Sequence, residues 1–199
     1  MEPKEQLEQL EDLSGRLAGE RPAPWDGLPD IPLYMDQVVA YLRRQLITFD
    51  EGDGLTSAMI NNYIKDGLVP RANGKKYDRE HLADLTVVAA VKQVLSVRDM
   101  KVLLASTQQP SDVRESYEGF CAQLDIALRE TLEHIQDFPN QKDLPALALA
   151  LALRSYADAL ACRRIVDLLR PEEERGSRRK SIRTRKSSFD LEVTTCKIL

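Results

Sequence analysis

The chain has 199 residues, 43% of them hydrophobic and 30% charged, with a formal net charge of −4. That composition belongs to soluble globular proteins and excludes disordered or fibrous ones. The apolar run over residues 145–153 is far shorter than the ~20 residues a bilayer span needs, and the acidic start carries no secretory pattern, so no membrane insertion is expected.

The small net charge conceals a local asymmetry. Residues 1–30 hold three cations against eight carboxylates, a balance of −5, whereas residues 55–79 hold five cations against two carboxylates, a balance of +3. Three widely spaced cysteines, Cys121, Cys162 and Cys196, form neither a disulfide framework nor a metal-ligand set. They point to a reducing cytoplasm.

Taken in chain order, Leu7, Leu10, Leu13 and Leu17 fall at spacings of three and four and predict a helix over residues 4–18 with one narrow apolar stripe. The stripe fits either a zipper or a helix packed on its own domain. The second is favoured, because the stripe is shorter than three heptads. Gly19 and the prolines Pro22 and Pro24 end it and begin a linker through residue 29.

A second helix is expected to open at residues 30–32, with Val38, Val39, Tyr41 and Leu42 inward. After an acidic, glycine-rich loop over residues 48–54, Thr56 or Ser57 caps a short helix that runs to Asp66, and Gly67 stops it. Met59, Ile60, Tyr63 and Ile64 lie on its apolar side, which leaves Asn61, Asn62 and Lys65 exposed. The following Arg71-Ala72-Asn73-Gly74-Lys75-Lys76-Tyr77 carries an Asn-Gly hairpin signal among cations. Asp78 then caps a helix bearing Leu82, Leu85, Val88, Val91 and Leu95, and Ser96 caps a shorter one with Met100, Leu103 and Leu104 inward.

Residues 111–137 carry a wide helical face from Val113 to Ile135, and Asp143 opens a last helix over residues 144–169. Its Leu-Ala alternation, residues 147–153, also fits a strand. Ala and Leu are the strongest helix formers, so a helix is favoured, buried all round at its apolar start. The two helices read as an antiparallel hairpin. Beyond Pro171 the chain turns polar and basic, with Arg175, Arg178, Arg179, Lys180, Arg183, Arg185 and Lys186 in a tail expected to be disordered. The tail either adds nonspecific phosphate affinity or simply solubilises the chain. The final Cys196-Lys197-Ile198-Leu199 has the shape of a prenylation box, a pattern that is common by chance.

One constellation points to function: a short helix with exposed amides and a lysine, a glycine stop, a proline, and a basic hairpin followed by a capped helix. An asparagine amide donates to N7 of adenine and accepts from its N6 in one plane. Lysines on a hairpin neutralise phosphates and release counterions. The segment from Ser57 to Arg71, followed by Gly74-Lys75-Lys76-Tyr77, resembles the recognition helix and wing of the MerR family of bacterial regulators. Tyr63, Gly67, Leu68, Pro70, Arg71 and Tyr77 fall on that pattern directly. Asn61-Asn62 stand where it has an Arg-Tyr pair. Residues 95–104 are similar to that family's helix after the wing. More closely, Leu33-Tyr34-Met35-Asp36-Gln37-Val38-Val39, with residues 59–63 and 92–96, looks like the bacterial domain-of-unknown-function family 1836. The likeness covers residues 30–106.

The resemblance implies an all-α fold built on a MerR-like winged helix-turn-helix with a small β-hairpin wing, and the residues add a C-terminal helical hairpin. The organisation expected is an N-terminal helix and linker (1–29), a DNA-binding domain (30–106), the hairpin (107–170) and the basic tail (171–199). The expected function is sequence-specific binding of duplex DNA by a bacterial cytoplasmic transcriptional regulator, through Asn61, Asn62, Lys65, Arg71, Lys75 and Lys76. The alternative is a protein-interaction module that keeps the fold without binding DNA. No catalytic set, cofactor motif or metal site is read, and no small-molecule effector is identifiable. His81, His134, Cys121 and Cys162 read as structural residues. The apolar hairpin predicts a homodimer.

Overall fold

The computed structural model describes residues 3–50, 52, 54–107, 112–140 and 143–172. Among these the architecture is all-α with one two-stranded antiparallel sheet, as expected from the sequence. The order is α1 (Pro3–Gly19), a 3-10 turn (Trp25–Gly27), β1 (Leu33–Tyr34), α2 (Met35–Leu42), α3 (Ser57–Lys65), β2 (Lys76–Tyr77), α4 (Arg79–Val91), α5 (Val97–Thr107), α6 (Val113–Gln136) and α7 (Leu144–Leu169). The basic run from Arg175 and the terminal Cys196 lie outside the described residues.

The helix ends fall where cap chemistry puts them. Thr56 Oγ1 accepts from the Met59 amide at 3.2 Å and starts α3. Its end is a Schellman turn: Gly67 takes φ +70°, the Leu68 amide donates to the Tyr63 carbonyl at 2.9 Å, and the Gly67 amide donates to Ile64 at 3.0 Å. Leu68 and Tyr63 are both buried, which completes the hydrophobic contact of that motif. Asp78 and Asp143 cap α4 and α7 through side-chain carboxylates, and Ser96 Oγ accepts from the Asp99 amide at the start of α5. Val38, Ile60, Leu82, Leu85, Val88 and Met100 form the central core, and Val166 of α7 joins them.

Two expectations at the front of this unit need correction. The second helix starts at Met35, not at residues 30–32, because Leu33–Tyr34 is a strand. Gln37 Oε1 then accepts from the Tyr34 amide at 2.9 Å and closes the first turn of α2. The Asn-Gly turn is real, but its register and pairing differ from a free hairpin. Asn73 and Lys76 exchange backbone hydrogen bonds at 3.0 and 3.2 Å across Gly74 and Lys75, with Gly74 at φ +70°. The outgoing strand β2 pairs with β1, Leu33 opposite Tyr77 and Tyr34 opposite Lys76. Side chains alternate across a strand, so Leu33 and Tyr77 enter the core while Tyr34 and Lys76 face out.

The remaining helices wrap this unit. α1 packs on α6, with Leu17 buried against Ile135 and Leu147, in line with a helix packed on its own chain. α6 packs on α4, where Tyr117 is buried beside Leu28 and Ala83 and its hydroxyl donates to the Ala23 carbonyl at 2.8 Å. α7 meets α6 near their junction, through Leu147 and a 3.6 Å ion pair between Arg154 and Glu130. Its fuller packing is on α5. There Val166 is buried and the guanidinium of Arg170, fully enclosed, pairs with Asp99 and Asp167.

The start of α7 is not buried all round, as its composition predicted. Leu147 is buried, whereas Leu149 and Leu153 project into solvent, because α6 and α5 cover only one side of the helix. α7 is also the one described helix long and apolar enough to cross a membrane by length and composition, at mean hydropathy 1.3. Counting unbroken apolar residues misses this, since Arg154 and Asp158 interrupt the run.

Candidate nucleic-acid interface

All six residues singled out from the sequence, Asn61, Asn62, Lys65, Arg71, Lys75 and Lys76, are exposed. The cause on α3 is its amphipathic spacing. Ile60 and Tyr63 are buried, with Met59 and Ile64 partly so, and this turns Ser57, Ala58, Asn61, Asn62 and Lys65 together to the opposite side. The side presented to solvent therefore carries two amides and one ammonium over two turns. Burial pushes the phenols of Tyr63 and Tyr77 above their ordinary values, so both stay neutral behind this surface.

A shallow groove joins α3 to the turn. It is lined by Ser57 and Asn61 of α3, by Gly74 and Lys75 of the turn, and by Tyr34, Met35 and Asp36. Asn61 and Lys75 are thus brought to one site, whereas Asn62 and Lys65 lie along the helix outside it. Lys76 stands on β2 with its Nζ 5.2 Å from the centre of the Tyr34 ring, a cation–π contact at the rim. Asp36 adds a carboxylate to the same groove, so its potential is mixed and not uniformly positive. In the first turn of α2 that carboxylate complements the helix dipole.

Tyr34 and Ser57 also line this groove, a place that the sequence analysis did not assign to either. The available signal was the inward–outward alternation of Leu33 and Tyr34, too short to distinguish from the start of a helix.

The base of the turn is held by His81, which is nearly fully buried. Its Nε2 donates to the Arg71 carbonyl at 3.1 Å, and its Nδ1 lies 2.6 Å from Asp78 Oδ1. Asn73 Nδ2 donates to the other Asp78 oxygen at 3.1 Å. Burial pushes the Asp78 carboxyl up, but the side-chain and backbone hydrogen bonds from His81 outweigh it and hold the carboxyl below its ordinary value. One histidine therefore fixes both ends of the segment that carries Arg71, Lys75 and Lys76. It is a structural histidine with a defined task.

Chemically, the surface offers planar amides for base edges, point charges for phosphates, and a rigid turn between them. Compared with known families, residues 23–120 match the model of a domain of unknown function (DUF1836). The match reaches beyond the expected stretch at both ends, and it takes in Ala23 and Tyr117, whose hydrogen bond ties those ends together. No curated protein and no solved structure matches the chain.

Proposed function

We propose that this chain, a member of the domain-of-unknown-function family 1836 through residues 23–120, binds duplex DNA sequence-specifically in the manner of a MerR-like winged helix-turn-helix. In this reading it regulates transcription in a bacterial cytoplasm. The observation that carries the reading is the juxtaposition in one groove of Asn61, from the exposed side of α3, and Lys75, from a turn pinned by His81.

A nine-residue helix supported from behind by Ile60 and Tyr63 has the width to enter a major groove, where bases differ in their donor and acceptor patterns. Asn61 and Asn62 would face base edges. Lys65, Arg71, Lys75 and Lys76 would hold the flanking phosphates and set the register. Tyr34, under the Lys76 ammonium, would steady that lysine at the strand edge. No catalytic step is part of this function.

The test is competitive binding of the full chain to a random duplex pool at low and moderate salt. A reader of bases enriches one motif. A chain that only neutralises phosphates retains DNA without enrichment, and a protein-interaction module retains none.

A further inference from the structure

The segment after α2 and the end of α4 do not close completely on α6. Between them lies a cavity of about 490 Å³, within the ~300–1,000 Å³ of small-ligand sites. Leu42 and Leu55, buried in the central core, form part of its lining. So do Ile47 and Leu128, which belong to the separate cluster around Leu17. The cavity is the seam where these two clusters do not merge. Ala89 and Ala90 of α4 line it as well, and their short side chains leave the space open.

The charges around this seam are unevenly matched. Glu20 is held by Arg16 at 2.7 and 3.1 Å, and Arg21 by Asp125 at 2.6 Å and by the carbonyls of Leu17 and Glu20. Arg43 and Arg44 also line the cavity and are exposed, which puts them at its mouth. Among the described residues neither guanidinium has a carboxylate or carbonyl partner. Their place is nevertheless fixed. The Arg44 and Gln45 amides donate to the carbonyls of Tyr41 and Leu42 at 3.0 and 3.1 Å, and the buried Gln45 side chain accepts from the Ala23 amide at 3.0 Å. Gly54 lies so near that a Cβ there would come within 3.3 Å of Arg43 Cγ. A cation at a helix C-terminus complements the helix dipole. That accounts for an arginine after α2, but not for two guanidiniums over an apolar cavity.

We infer that this cavity binds a small amphipathic anion, an apolar chain that ends in one carboxylate or phosphate group. The lining sets both halves of the ligand. Guanidinium forks match the oxygens of either headgroup bidentately, and Arg43 and Arg44 leave two positive charges for it to balance. A chain laid against Leu42, Ile47, Leu55 and Leu128 exchanges water for apolar surface, and each methylene it buries adds affinity. An apolar cation meets like charge at the mouth. A nucleic-acid phosphate would use the arginines and leave the apolar seam empty. This cavity shares no lining residue with the groove between α3 and the turn, so its ligand does not depend on DNA binding.

The experiment is titration of the full chain with sodium decanoate or decyl phosphate, each kept below its micelle-forming concentration, read by calorimetry and by amide chemical shifts. A single site is expected, with shifts concentrated in residues 42–48, 89–93 and 124–128. The tighter of the two probes identifies the headgroup, and either result supports the site. Decanol and acetate, which each lack one half of the ligand, are expected to bind about tenfold more weakly or worse. Arg43→Gln with Arg44→Gln is expected to weaken the anion by about tenfold or more, with circular dichroism unchanged because both side chains are exposed. Ala90→Phe, which fills the cavity, is expected to do the same with the arginines intact. Folded wild type that binds neither anion at millimolar concentration overturns the inference. So do decanol bound as tightly as decanoate, an affinity unchanged in the double arginine variant, or shifts confined to the exposed side of α7, which would mark detergent-like adsorption. A chain that binds decanoate at this seam and enriches no duplex motif keeps the site and loses the regulator reading.

Discussion

Arg170 closes α7 onto α5, and replacing it with methionine measures how much that closure is worth. Its side chain is fully enclosed and hydrogen-bonds Asp99 and Asp167. Methionine fills part of the volume of the aliphatic stem, so the principal loss is the charge. Asp99, itself nearly buried, then lacks its cation, and breaking a buried pair from one side costs about 3–5 kcal/mol. Two features moderate the figure. The Ser96 hydroxyl still donates to Asp99 at 2.7 Å, and the carboxylate sits in the first turn of α5, where the helix dipole favours it. Asp167 is partly solvated and loses little.

The expected cost is therefore at the lower end, about 3 kcal/mol, or a fall in Tm of roughly 6–12 °C for a chain of this size. Urea denaturation followed by circular dichroism measures it. Adding Asp99→Leu to Arg170→Met should return most of the loss, because a well-packed apolar pair can replace a buried ion pair. A single-variant loss under about 1 kcal/mol would refute the claim that this pair latches α7 to the domain. A double variant no more stable than Arg170→Met would refute the assignment of the cost to a stranded carboxylate.

Three further expectations concern the interface and its supports. Lys75→Ala with Lys76→Ala weakens binding to every DNA sequence and lowers the slope of log affinity against log salt by about 1.8, two phosphate contacts' worth; a titration at several salt concentrations shows this, and an unchanged slope removes the turn from the interface. His81→Ala costs about 2 kcal/mol of stability by leaving the Arg71 carbonyl and Asp78 without its ring, and amide chemical shifts should move over residues 71–78 in preference to α6. Burial raises the Tyr117 phenol well above its ordinary value of 10.0, so its contribution is intact below pH 10 and lost as the pH climbs past that; the wild-type urea midpoint should fall on the alkaline side, and Tyr117→Phe should flatten that fall.

Much of the interface was legible in the sequence because its determinants are local. Thr56, Gly67 and Asp78 each fix a helix end through hydrogen bonds within a few residues, so α3 and its exposed side followed from spacing alone. What the sequence concealed depends on distant partners. The two-residue strand β1 has no period of its own and exists because Lys76 and Tyr77 lie beside it. Nothing in the spacing around Arg170 marks it as enclosed until Asp99 is placed opposite it. The exposed side of α7 has the composition of a buried helix, and only the positions of α5 and α6 reveal which side is uncovered. His81 looked structural by elimination. Its task at the base of the turn needed the Arg71 carbonyl in place.

The central claim is that α3 reads bases through its amides, and affinities of wild type, Asn61→Ala and Asn62→Ala for the duplex selected from a random pool test it most directly. A bidentate amide contact is worth roughly 1–3 kcal/mol of discrimination, so at least one substitution should cost about ten- to a hundredfold on the selected site. Affinity for unrelated DNA should stay within about twofold, because the lysines remain, and the melting temperature should not move, because both residues are exposed. Equal losses on selected and unrelated DNA, or no enriched site from folded protein at low salt, would contradict the account.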